Sequence, residues 1–170
     1  MPQLPNATVK ATLAQPGQIP AALAWARRHG LELDYDADLL LVRLRLDGPG
    51  PTADSRAEPY LITGEMDDFD VLPVLWRYVD PRTGEVIGPA AYPRPAGGSV
   101  LHGQGLICAP WSRQAYKTEG GPHGDWGALT DWKTPRPPYT HAITVPDMLD
   151  RLYRETKRSV GRMATLPTAE

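Results

Sequence analysis

The stretch "LELDYDADLLLVRLRLDG", residues 31–48, decides what kind of fold this chain adopts. Near its end Leu40, Val42, Leu44 and Leu46 point one way and Arg43 and Arg45 the other. That period of two predicts a strand with one face buried. Downstream, "YLITGEMDDFDVLPVLWRYVD" (60–80) predicts two further strands, 60–65 and 74–79, around an acidic turn. "PGPTADSRAEP" (49–59) reads as their connection to the first. Upstream, "IPAALAWARRHG" (19–30) predicts a helix. Pro20 suits its first turn, Gly30 its stop, and Leu23, Trp25 and Ala26 its apolar contacts.

Near the C-terminus, "TVPDMLDRLYRETKRS" (144–159) predicts a second helix. Thr144 and Asp147 form a start like a capping box, with Pro146 in the first turn. Met148, Leu149, Leu152 and Tyr153 make an apolar stripe at helical spacing, and Arg154, Lys157 and Arg158 suit the negative end of the dipole. Between strands and helix, residues 81–98 are turn-rich and residues 99–138 are broken by glycine and proline. The order predicts an α+β fold: an antiparallel meander sheet with an N-terminal and a C-terminal helix on one side. Residues 1–18 read as a flexible arm, 19–162 as a single domain and 163–170 as a frayed tail.

Composition bounds the function. The 170 residues suit one domain, and 41% hydrophobic against 22% charged residues is ordinary for a globular chain. A net charge of -2 gives no attraction to nucleic acid or to an anionic membrane. No long apolar run predicts a membrane span, and the first residues lack the basic-then-apolar order of a secretory signal. One cysteine forms no internal disulfide, which suits a reducing cytoplasm.

The reactive residue types cluster in "SVLHGQGLICAPWSRQAYKTEGGPHGDW", residues 99–126. This stretch holds the only cysteine, Cys108, with His102 and His123. A lone cysteine can be a small buried hydrophobe, a nucleophile or a metal ligand, and the last two need the thiolate. Cys108, Glu119, His123 and His141, with His102 in reserve, carry the donor types zinc takes. The glycines and proline of "TEGGPHGDW" are expected to hold Glu119, His123 and Asp125 in a fixed, irregular backbone. The plainer reading has His123 and Glu119 bonded within a glycine turn.

Other motifs carry less. "EMDDFD" lacks calcium-loop spacing and reads as a solvated turn. Ser112 lacks the glycines of a nucleophile elbow, and the Gly103/Gly105 pair lacks the third glycine and helix of a nucleotide cradle. Trp76, Trp111, Trp126 and Trp132 read as core and loop anchors.

The succession "LPVLWRYVD", "YPRP", "LHGQGLIC", then a tryptophan before a helix, resembles the ubiquitin-conjugating enzymes. In that resemblance residues 72–79 match the third strand, His102 the histidine turn, residues 105–108 the cysteine segment and Trp132 the tryptophan. It covers roughly residues 20–162. "HGQG" replaces the family's histidine-proline-asparagine turn, so the asparagine that assists aminolysis is missing. The segment after Cys108 is similar to a bacterial family of predicted metal-binding proteins with a Cys-Glu-His-His signature, related to the conjugating-enzyme fold and encoded beside ubiquitin-like proteins.

The resemblance implies three expectations. As a thioester carrier, the chain would use Cys108 as nucleophile, with His123 and Glu119 assisting. Its partners would be a ubiquitin-like protein and its activating enzyme. As a metalloprotein, it would hold zinc through Cys108, Glu119, His123 and His141, or His102 as the fourth ligand, either as a hydrolase or structurally. As a binding module, it would dock those partners without catalysis.

Overall fold

The computed structural model describes residues 3–52, 54–134 and 141–168. Residues 135–138 of the irregular stretch, and the outermost residues of the arm and tail, lie outside the described residues. Four strands, β1 (Glu32–Asp36), β2 (Leu41–Gly48), β3 (Glu58–Glu65) and β4 (Leu75–Val79), form an antiparallel meander in chain order. Helices α1 (Asn6–Leu13) and α2 (Ile19–Arg28) precede it, and α3 (Val145–Lys157) follows a long irregular segment. The α+β reading therefore stands. No described helix is long and apolar enough to cross a membrane.

The alternation in β2 does what its period demands. Val42, Leu44 and Leu46 are buried while Arg45 is exposed. Register sets Leu44 beside Ile62 of β3, and Ile62 beside Tyr78 of β4, so one sheet face is continuous and apolar. On the other face Arg43 pairs with Asp34 across the β1–β2 ladder, and Arg77 pairs with Glu65. Helix α3 covers the apolar face. Trp76 Nε1 donates to Met148 Sδ at 3.4 Å, and Tyr78 Oη shares a hydrogen bond with Thr156 at 2.8 Å. Trp25 of α2 meets Tyr153 of α3 edge-on and donates to Asp150.

The start of α3 is built as the spacing predicted. Thr144 accepts from the Asp147 backbone N–H and donates to its carboxylate. Gln18, just before α2, adds an acceptor for the Val145 N–H, so one helix caps the other.

Three expectations change. Within the arm, expected to be loose or edge-packed, Asn6–Leu13 form helix α1: Val9 and Leu13, four residues apart, are both 0% exposed, so this part packs into the core. Strand β1 was not foreseen, because its acids leave only Leu33 and Tyr35 facing inward. It makes the strand at 75–79 the fourth, not the third. The "EMDDFD" turn is a packing hub as well as a surface turn. Met66 and Phe69 are fully buried, Asp68 accepts from the Leu4 N–H, and Asp67 binds Arg113.

Candidate functional site

The cysteine segment has little regular structure, so its backbone must be pinned by bonds within itself and to the rest of the fold. Four attachments do this. At its start, Ser99 Oγ donates to Glu155 Oε2 of α3 at 2.6 Å; Glu155 is buried and also pairs with Arg151. The short strands β5 (Leu101–His102) and β6 (Leu106–Ile107) then form a hairpin, closed by Gly105 at φ 78° against the Pro89 backbone. The Cys108 N–H donates to Val100 O at 2.6 Å. Beyond the thiol, Arg113 is buried. Its N–H donates to Val74 O beside β4, and its guanidinium grips both Asp67 oxygens. That guanidinium holds the Asp67 carboxyl below the ordinary carboxylate range. The thiol thus sits on a segment tied to helix, sheet and turn.

The second half of the stretch folds back over the first. Tyr116 is buried and donates its hydroxyl to Pro110 O at 2.9 Å. The chain reverses through Gly120 and Gly121, and three backbone bonds zip it: Gly121 N–H to Tyr116 O, His123 N–H to Ala115 O, and Lys117 N–H to His123 O. The turn leaves room for nothing larger than glycine at 121. A Cβ there would stand 2.1 Å from Gln114 O. Glycine at this turn is what lets the loop return close enough to bring His123 to the cysteine.

The result is a chain of three groups. Cys108 Sγ lies 3.0 Å from His123 Nε2, and His123 Nδ1 lies 3.2 Å from Asp125 Oδ1. The one neutral tautomer that satisfies both contacts has Nδ1–H donating to the carboxylate and Nε2 accepting from the thiol. Trp126 stacks on the imidazole with centroids 3.7 Å apart and planes 8° apart. This is the order of a nucleophile, a base and a group that orients the base.

The thiol is not a preformed thiolate. Burial, and then the Asp125 carboxylate, push the Cys108 thiol up to about 11 from its ordinary 9.0. The native state holds this contribution to stability fully below pH 9.0 and loses it as pH rises towards about 11. At neutral pH the sulfur is S–H, so attack needs a base to take the proton as the new bond forms. The pH profile of Cys108 alkylation checks this. We expect its midpoint near 11, and a lower midpoint in Asp125→Asn, which removes the second cause. The shift is expected to be small, since the Asp125 side chain is 76% exposed and its field is screened. An Asp125→Asn profile superimposed on the wild type would show that the carboxylate does not reach the thiol.

The other sequence-derived site residues fall elsewhere. Glu119 ends a 3₁₀ turn on the exposed side of the loop; the residue behind His123 is Asp125. His141 is exposed just ahead of α3. His102 is occupied in its own turn, where Nδ1 accepts from the Gln104 N–H. Among the described residues no three histidine, cysteine, aspartate or glutamate side chains gather as a metal ion needs. Asp125 meets the far nitrogen of His123, not the thiol side of the ring. Of the Cys108, Glu119, His123 and His141 set expected for zinc, the structure brings Cys108 and His123 into contact. Ser112 is fully buried and is no nucleophile. Trp76, Trp111 and Trp132 are the expected buried anchors, whereas Trp126 belongs to the site. The sequence signal for Asp125 was its place two residues after His123 in the same turn. No periodicity marked Trp126.

Compared with known protein families, curated proteins and solved structures, the chain shows no significant match.

Proposed function

We propose that this chain is a thioester carrier of the ubiquitin-conjugating kind, working in the bacterial cytoplasm with a ubiquitin-like protein and its activating enzyme. The observation that carries the reading is the 3.0 Å contact between Cys108 Sγ and His123 Nε2 on a rigid loop. The order of helix, strand meander, cysteine segment and helix supports a conjugating-enzyme-like fold, with α1 and the "GGPH" loop as departures.

In the reaction, Cys108 Sγ attacks the carbonyl carbon of the donor thioester. The thiol proton moves to His123 Nε2 as the Sγ–C bond forms. The donor C–S bond then breaks, and the imidazolium returns the proton to the departing thiolate. No oxidant or reductant is involved, and one thioester replaces another. The missing asparagine counts against ordinary lysine modification, so the acceptor in this reading is a further thiol.

The test is incubation with the partner activating enzyme, the ubiquitin-like protein and ATP. A thiol-sensitive adduct at Cys108, absent in Cys108→Ala, is expected. No adduct, with binding to either partner unchanged in Cys108→Ala, would make the chain a docking module. One zinc per untagged chain, lost in Cys108→Ala, would put a metal where this reading puts a nucleophile.

A further inference from the structure

We infer that Trp126 is the positioning residue of the base, holding the His123 ring in its working orientation and stabilising the imidazolium it becomes; the inference rests on Cys108 being the nucleophile. The indole lies flat on the imidazole, with centroids 3.7 Å apart and planes 8° apart. Behind it, Tyr116 meets the indole edge at 5.6 Å and 78°. Tyr116 is itself fixed, being buried, bonded to Pro110 O, and bridged to His123 through the backbone. The imidazole ring therefore leans on a wall whose own support is the folded core.

Two physical consequences follow. A ring held flat cannot turn about its Cβ–Cγ bond, so Nε2 stays aimed at the sulfur and Nδ1 at Asp125. An indole face also carries negative charge density, which attracts a ring that has just gained a proton. The carboxylate of Asp125 is largely exposed and screened, which leaves the indole as the more sheltered partner of the imidazolium. The titratable groups beside the ring are the Cys108 thiol and Asp125, with Lys117 and Glu119 on the preceding turn.

The experiment compares Trp126→Phe, which keeps an aromatic face, with Trp126→Leu, which keeps bulk without one. Both are assayed for acyl transfer to Cys108 from a small acyl thioester, after thermal unfolding shows that each is folded. The expected result is a rate at saturation lowered about 2- to 30-fold in Trp126→Leu, with half-saturation unchanged and Trp126→Phe closer to the wild type. Followed by NMR, the His123 ring protons should keep their through-space contacts to Cys108 in Trp126→Phe and lose them in Trp126→Leu. Equal rates and equal ring contacts in the two variants overturn the inference. A change confined to half-saturation overturns it too, by making Trp126 a wall of the substrate site. If the wild type takes no acyl group, the carrier reading fails, and the ring contacts alone then decide the role of Trp126.

Discussion

His123→Ala is expected to slow acyl transfer from a small thioester to Cys108 by about 10²–10⁴-fold at neutral pH, the range a positioned base supplies. The size follows from the state of the sulfur. A thiol pushed up to about 11 is almost wholly protonated at pH 7, so removing its base leaves a poor nucleophile. The loss should shrink as pH rises towards that value, because hydroxide then makes the thiolate without help. A loss constant with pH would give His123 a structural role. The change should cost little stability, since the ring is part-exposed and its loop is held by backbone bonds that alanine keeps. Asp125→Asn should cost much less than His123→Ala, because its carboxylate stands mostly in water.

Gly121→Ala should be nearly as damaging to acyl transfer, through the backbone. The added methyl would stand 2.1 Å from Gln114 O and 2.4 Å from Ala115 C. These are main-chain atoms, so the loop has to lift. Lifting breaks the Gly121 to Tyr116 and His123 to Ala115 bonds that return the imidazole to the sulfur. A displacement of about 1 Å at a reacting group costs on the order of 100-fold. The strain itself should lower stability by about 1–3 kcal/mol, read from denaturant unfolding. Gly124→Ala is the control: its Cβ would meet only Lys117 Cβ, at 3.9 Å, and the rate should stay near that of the wild type. A Gly121→Ala protein as active as the wild type would show that the turn does not set the position of His123.

Much of the fold was legible because a few segments obey one period at a time. Leu40 to Leu46 alternate strictly enough to fix β2, and Thr144 with Asp147 fixes the start of α3. Helix α1 was not legible, since its contribution to the core is only Val9 and Leu13 and it has no side-chain cap. Strand β1 was hidden by its acids, which suit an edge strand facing water. The site was half legible. Rare reactive types in a glycine-rich stretch pointed to Cys108 and His123, and the structure brings these two together. Composition could not tell which acid stands behind the imidazole. That depends on the backbone turn at Gly120–Gly121, which leaves Glu119 at the end of the outgoing 3₁₀ turn and sets Asp125 beside the ring. Glu155 shows the same limit. By sequence it belongs to a charged helix face, but in the fold it is buried and anchors Ser99.

The central claim is that the fold turns a protonated, half-buried thiol into a nucleophile by setting an imidazole against it. The most direct measurement is the acylation rate of Cys108 at pH 7 by a small thioester, in the native chain and in the same chain unfolded in urea. The native thiol should react faster despite its raised pKa, and should lose that advantage in His123→Ala. A native thiol slower than the unfolded one would contradict it, leaving Cys108 as a sheltered packing residue.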